Sequence, residues 1–121
     1  MTNYYKIFLF VLLLSSLNSV ANAITVEEYE EIKIKSVEIA ETYMRGVIEG
    51  IDFANVYIKN ENCKIYCPPP KMSLNTRNAM DILEKKIDEY RKNKVLGDDL
   101  KKAPIELLLL KGLEETFPCK K

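Results

Sequence analysis

The sequence contains no histidine and no tryptophan among its 121 residues, and its 18 basic residues are balanced by 18 acidic ones. Because histidine is the commonest general base and metal ligand near neutral pH, its absence excludes Ser-His-Asp and Cys-His catalytic arrangements. A chain without net charge lacks the basic surface typical of nucleic-acid binders and of proteins that bind anionic membranes. We therefore expect no enzymatic activity, no cofactor and no nucleic-acid partner.

The first 23 residues have the pattern of a secretory signal peptide. Lys6 is followed by a continuous apolar run at positions 7–14, then by small and polar residues, and then by an Ala-Asn-Ala motif that ends at Ala23. This order is typical of a cleaved targeting segment, and the apolar run is far shorter than the about 20 residues that cross a bilayer. We expect cleavage after Ala23, export to the periplasm without stable membrane insertion, and a single domain over residues 24–121.

The spacing of apolar residues predicts an all-α domain, a small bundle of three to four helices. Thr25 and Glu28 form a capping-box pattern at the start of a proline-free helical region, which is predicted to be central from Tyr43 onward. Ser73 is the predicted N-cap of the next helix, and Pro104 is predicted to lie in the first turn of the last one. The predicted core faces recur at helical spacing and consist of Val37, Ala40, Met44, Val47, Ile51, Ala54 and Ile58, then Met80, Leu83, Ile87 and Tyr90, and finally Ile105, Leu108, Leu109, Leu113 and Phe117.

A second strip of the first helical region contains two glycines. Tyr43, Gly46, Gly50 and Tyr57 recur on one side of the helix, together with Phe53. Glycine inside a helix costs about 1 kcal/mol relative to alanine, so two glycines on one strip indicate that another backbone packs closely there. This close-packing strip faces either another helix of the same chain or a second subunit or partner.

Three cysteines, Cys63, Cys67 and Cys119, lie in the predicted exported domain. An oxidising compartment favours one disulfide and one remaining thiol. The chain-entropy model gives a bridge from Cys119 to either of the other cysteines about 4 kcal/mol, and the local pair about 2 kcal/mol. The energy therefore leaves both long-range pairings open. A zinc site would need a fourth ligand, and the spacing matches no standard zinc motif, so we expect no metal.

The segment between the last two predicted helices combines charge with two apolar residues. Lys94, Val95, Leu96, Asp98 and Lys101 give an apolar centre surrounded by charge, which resembles a small binding patch. Loops on a rigid helical scaffold commonly carry recognition. The alternative is a solvated connection whose two apolar side chains pack into the core.

Several of these local features occur together in a recognisable order. The chain has the motif YMRGVIEG at 43–50, CPP at 67–69 followed by a serine that opens a helix, and FPC at 117–119. With the signal peptide, this set resembles the Rap/Tai family of immunity proteins, which is associated with bacterial type VI secretion. The resemblance spans residues 41–119. Gly112, at a position where the family prefers alanine, and the lysine-rich segment 92–102 depart from the family pattern.

The resemblance implies a periplasmic immunity protein that binds a toxic effector, often a peptidoglycan-cleaving amidase, and blocks its active site. Such proteins protect the producing cell and are often homodimers. The family pattern also implies that Cys67 pairs with Cys119, while Cys63 stays unpaired. A different class of function is a small periplasmic stress chaperone, which exposes apolar surface when acid neutralises its carboxylates.

Overall fold

The computed structural model describes residues 23–60 and 63–120, so residues 1–22 of the predicted signal peptide at 1–23 lie outside the described residues. Within that part of the chain there are four α-helices, one 3₁₀ helix and no β-strand, which confirms the predicted all-α fold. None of these helices is both long and apolar enough to cross a bilayer. The elements in chain order are α1 Val26–Lys35, α2 Val37–Tyr57, α3 Thr76–Lys92, the 3₁₀ helix Gly97–Lys102 and α4 Ile105–Thr116.

The helical region that begins after Thr25 is divided in two at Ser36. The predicted capping box opens α1, since the Thr25 hydroxyl accepts from the Glu28 N–H at 3.3 Å and the Glu28 carboxylate accepts from the Thr25 N–H at 2.7 Å. Ser36 has an extended backbone, and its N–H donates to the Ile32 carbonyl at 2.8 Å. The Ser36 hydroxyl accepts from the Ile39 N–H at 3.3 Å. One serine therefore ends α1 and caps α2.

The core lies where α3 and α4 pack against each other and against α1 and α2. The predicted core faces of α3 and α4 are confirmed, with Tyr90 and Phe117 only partly buried. Burial of a large apolar side chain stabilises a fold by about 1.5–3 kcal/mol. The largest fully buried side chains are Val26, Tyr29, Met44, Ile48, Tyr66, Leu83, Ile105, Leu108, Leu109 and Leu113.

The predicted core face of α2 is only partly right. Met44 is buried as expected, but Val37 and Ala54 are exposed, and Ile48 and Asn55 are buried instead. The last turns of α2 are also not central, because Phe53, Val56 and Tyr57 face solvent. A strip with alternating steps of three and four residues has neighbouring strips of similar spacing, and the packing partner decides which of them is buried.

The boundaries of α3 and α4 follow polar caps and prolines. Asn75, and not the predicted Ser73, is the N-cap of α3, and its side-chain oxygen accepts from the Asn78 N–H at 2.9 Å. Both residue types cap helices well, so composition alone does not choose between them. α4 begins directly after Pro104, which is its N-cap residue and not part of its first turn, and it ends before Pro118 as predicted.

Close helix packing occurs at Gly112 rather than at the predicted strip. A Cβ atom at Gly112 would lie 2.6 Å from Cγ2 of Ile82 in α3, so an alanine here would overlap with that side chain. At Gly46 and Gly50 of α2, a Cβ atom would meet nothing within 4 Å. The prediction of close packing against another helix of the same chain is therefore wrong for these two glycines.

The disulfide joins Cys67 to Cys119, which confirms the pairing that the family pattern implied. The two Cα atoms are 4.9 Å apart, and the Cys67 N–H donates to the Phe117 carbonyl at 2.8 Å. The bridge therefore fastens the segment after α2 to the end of α4. Cys63 is a free, exposed thiol.

Candidate partner-binding surface

The described residues, 23–60 and 63–120, include no group of histidine, cysteine, aspartate and glutamate side chains that could hold a metal ion. The candidate functional features are two exposed surfaces. One is the predicted patch between α3 and α4, and the other is on α2. Both have large apolar side chains that face solvent.

The predicted patch between α3 and α4 forms a turn that leads into the 3₁₀ helix. Lys94, Asp98 and Lys101 lie together on the wall of a surface cleft of about 370 Å³, which Tyr90 and Arg91 also line. The structure therefore brings the three charged residues of the prediction into one place.

The two apolar residues of this patch face solvent and do not enter the core. Val95 is 40% exposed and Leu96 is 49% exposed, whereas Leu100 of the 3₁₀ helix is buried and anchors the segment. The alternative in which both apolar residues pack into the core is therefore wrong. Leu96 also has a left-handed backbone with φ of 65°. For a residue with a Cβ atom this conformation costs about 1–2 kcal/mol, and its half-exposed side chain recovers little of that by packing.

Two cations that line this cleft, Arg91 and Lys101, have acidic partners. The Arg91 guanidinium lies 2.7 Å from Glu30 and 3.1 Å from Asp88, and its hydrogen bond with Glu30 raises the pKa of Arg91. Lys101 lies 3.9 Å from Glu27. A cleft with charges of both signs is suited to a polar protein surface rather than to a small free anion.

The second surface is a stripe along α2, the α2 stripe, formed by Ile39, Gly46, Gly50, Phe53 and Tyr57. Steps of seven, four, three and four residues keep these positions on one side of a helix. The Phe53 and Tyr57 side chains are 70% and 75% exposed, and their ring centroids are 5.6 Å apart. Tyr43 of the predicted strip is separate from this stripe, because it is partly buried and donates to Glu106. Contiguous exposed apolar side chains mark interaction surfaces.

A buried polar cluster joins the second half of α2 to the segment at residues 65–66. The Asn55 side-chain nitrogen donates to the Tyr66 carbonyl at 2.9 Å, and its oxygen accepts from the Ile65 N–H at 2.8 Å. The Tyr66 hydroxyl donates to Asp52, and burial raises the pKa of that aspartate. None of these residues was among the predicted site residues. The available signal was a pair of polar residues, Asp52 and Asn55, within an otherwise apolar stretch of helix.

Comparisons with protein-family models, with curated proteins and with solved structures give no match to this chain. The resemblance to the Rap/Tai family thus stays a prediction from the sequence motifs. The two exposed surfaces are therefore the features of the described residues that bear most directly on function.

Proposed function

We propose that the processed chain is a periplasmic immunity protein that binds and inhibits a cognate toxic effector and so protects the producing cell. The resemblance to the Rap/Tai family implies that such an effector is often a peptidoglycan-cleaving amidase. The observation that carries the proposal is the patch around Leu96. A leucine in a left-handed backbone that packs poorly in its own chain is costly for folding. Contact with another protein would explain the use of leucine at this position.

The patch has the composition of a small protein interface. Val95 and Leu96 supply an apolar centre, and Lys94, Asp98 and Lys101 supply charge around it. Apolar residues at the centre of an interface are desolvated on binding, whereas charged residues at the rim guide association and select the partner. We therefore assign the effector to this patch.

We further propose that the α2 stripe packs against a second copy of the chain. If two copies of α2 cross in antiparallel orientation with the two-fold axis between Gly50 and Phe53, then Gly50 faces Phe53 of the partner subunit and Gly46 faces Tyr57 of the partner subunit. The spacing gives this match because each pair of positions has the same midpoint in the sequence. Aromatic rings then cover glycines that present no side chain, and the same surface serves both copies.

The proposed dimer predicts opposite effects of Gly46→Leu on association and on stability. Because a Cβ atom at Gly46 meets nothing within 4 Å in its own chain, leucine should raise the free energy of unfolding of the monomer by roughly 0.5–1 kcal/mol through its better helix propensity. The same side chain would fill the space that the ring of the second copy needs. Light scattering should therefore show dissociation to monomers while the helical circular dichroism is retained.

Gly112→Leu is the matched control for this experiment, because Gly112 is in contact with Ile82 and leucine there should destabilise the monomer by overpacking. Loss of monomer stability in Gly46→Leu would mean that the α2 stripe is covered by its own chain. A dimer that persists at unchanged affinity would place the subunit contact elsewhere.

The effector assignment predicts that a double change in the patch removes protection. A candidate toxin from a gene adjacent to this one is expressed with an export signal in a bacterial host, alone or with this chain. The wild-type chain should restore growth, and Leu96→Asp combined with Lys94→Glu should reduce the affinity by at least tenfold, since the change introduces charge at the apolar centre and reverses charge at the rim. Growth and calorimetric affinity are measured together.

Leu107→Asp combined with Lys111→Glu makes the same two changes on the exposed side of α4 and should leave protection intact. Unchanged affinity in the patch variant would move the interface elsewhere, most directly to the segment 63–72. If no adjacent toxin is bound and the chain instead prevents aggregation of unrelated denatured proteins at acid pH, the stress-chaperone alternative is favoured.

A further inference from the structure

The residue that follows the predicted cleavage site is already fixed in the fold. The Ile24 carbonyl accepts from the Ile105 N–H at 3.1 Å, and the Val26 N–H donates to the Ala103 carbonyl at 3.0 Å. Ala23, the residue before the predicted cut, is exposed. The chain is therefore exposed at Ala23, whereas the next residue, Ile24, is hydrogen-bonded to the first residue of α4.

A partly buried carboxylate lies at this position, and one of its two oxygens is buried without a hydrogen-bond partner in the part of the chain that the structure describes. The Tyr43 hydroxyl donates to one oxygen of Glu106, while the other oxygen, Oε2, is buried and has no hydrogen-bond donor among the described residues. The backbone N–H of Ile24 lies beside the same hydroxyl, and it offsets part of the rise in the Tyr43 pKa that burial and Glu106 cause. The Ile24 nitrogen and the Glu106 carboxylate thus both lie next to the Tyr43 hydroxyl. A buried acceptor without a donor is unfavourable and rare in folded proteins.

We propose that cleavage after Ala23 creates an ammonium group on Ile24 that pairs with the Glu106 carboxylate and supplies the missing donor. Hydrolysis of this peptide bond by a signal peptidase consumes one water, which leaves a carboxyl group on Ala23 and an amine on Ile24. At neutral pH the amine carries three protons, whereas the peptide nitrogen of the precursor carried one. One N–H of the ammonium group donates to the Tyr43 hydroxyl, and another donates to the Glu106 carboxylate. Processing therefore completes a contact that the precursor cannot make.

The charged neighbours favour the ammonium form. The titratable groups at this position are Tyr43 from α2 and the two glutamates whose charges act on it, Glu106 from α4 and Glu28 from α1. The two glutamates are acidic, and the tyrosine stays neutral because burial and its hydrogen bond to Glu106 raise its pKa. Two carboxylates should therefore raise the pKa of the Ile24 amine above its ordinary value of about 7.7–8.0.

The sign of the pH dependence follows from this raised pKa. The contribution of the pair to stability is fully present below about pH 7.7, the pKa of the amine in the unfolded chain. It is lost as the pH rises through the higher pKa of the amine in the folded chain. The processed protein should accordingly lose more thermal stability above neutral pH than a chain with the ammonium displaced. This inference depends on cleavage after Ala23 and not on the proposed immunity function.

The test is an NMR titration of Ile24 in the exported, processed protein, with the N-terminus established by intact mass. The pKa of the Ile24 amine should lie about one to two pH units above the ordinary value. In Glu106→Gln, which keeps the acceptor for Tyr43, the pKa should return to or below the ordinary range. Glu114→Gln, on an exposed turn of the same helix, is the matched control and should leave the amine unchanged.

A second variant tests the effect on stability. Insertion of Gly-Ser between Ala23 and Ile24 leaves an amine that cannot reach Glu106, so its melting temperature should be lower than that of the wild type at pH 6. The difference should vanish at high pH, and it should also vanish when both proteins carry Glu106→Gln. An ordinary pKa for the Ile24 amine, an elevated pKa that survives Glu106→Gln, or a mature chain that retains residues before Ile24 would each overturn the inference.

Discussion

Replacing Cys67 with serine should lower the free energy of unfolding by about 4 kcal/mol, the largest effect we expect from a single side chain of this protein. The bridge to Cys119 closes a loop with a sequence separation of 52, and a loop of that length gives this value in the chain-entropy model. For a domain of this size, the loss corresponds to a decrease of roughly 15–30 °C in melting temperature. Chemical denaturation and thermal melts of the oxidised proteins measure both quantities.

Cys119→Ser should have the same effect as Cys67→Ser, because either change opens the same loop. Cys63→Ser is the matched control and should stay within about 0.5 kcal/mol of the wild type, since this thiol is exposed and unpaired. Reduction of the wild type should reproduce the stability of Cys67→Ser. Damage from Cys63→Ser together with a silent Cys67→Ser would contradict the observed pairing.

Asn55→Leu should lower the free energy of unfolding by about 2–4 kcal/mol, even though it places an apolar residue at a buried position. The Asn55 side chain is hydrogen-bonded to the backbone of Ile65 and Tyr66, and the N–H and carbonyl groups of Tyr66 are buried. Leucine leaves these donors and acceptors without partners, and each such group costs about 1–3 kcal/mol when it is shielded from water. Urea denaturation measures the loss.

Ala54→Leu, at the exposed neighbouring position, is the control and should change stability by less than about 0.5 kcal/mol. Amide hydrogen exchange should locate the effect of Asn55→Leu, because the Ile65 and Tyr66 amides lose their protection first. A variant as stable as the wild type would mean that water replaces the Asn55 side chain in this cluster.

Local sequence signals determined most of the helical framework. The Thr25–Glu28 capping box, the proline before α4 and the proline after it act over a few residues, so their effect is readable without knowledge of the fold. The core faces of α3 and α4 were also readable, because each helix packs along most of its length and buries one regular strip. The cap of α3 was not, since Ser73 and Asn75 are equally suitable residues two positions apart.

The cysteine pairing could not be predicted from local sequence signals. Loop entropy is almost the same for Cys63–Cys119 and Cys67–Cys119, so only the family pattern favoured the second pair. In the structure, Cys67 lies next to Cys119, because the Cys67 N–H is hydrogen-bonded to the carbonyl of Phe117, two residues before Cys119. Proximity of this kind depends on how the whole chain folds.

The glycines give a similar lesson about packing. The sequence marks Gly46 and Gly50 as unusual within a helix, but it does not say what lies next to them. In the fold, Gly112 is the glycine in tight contact, because α3 and α4 are the most closely associated helices and Ile82 fills the space above it. Which glycine is covered depends on where the helices cross, and residues far apart in sequence decide that.

By itself, the sequence determined the all-α class, most α-helix ends and the buried strips of α3 and α4, because these follow from interactions within one or two turns. Only the tertiary structure decided that Asn55 is buried while Ala54 is exposed. The backbone of Ile65 and Tyr66 needs hydrogen-bond partners where it passes α2, and Asn55 is the side chain that provides them. Only the tertiary structure likewise placed Ile24 beside Tyr43 and Glu106, since those contacts join residues from three separate parts of the chain.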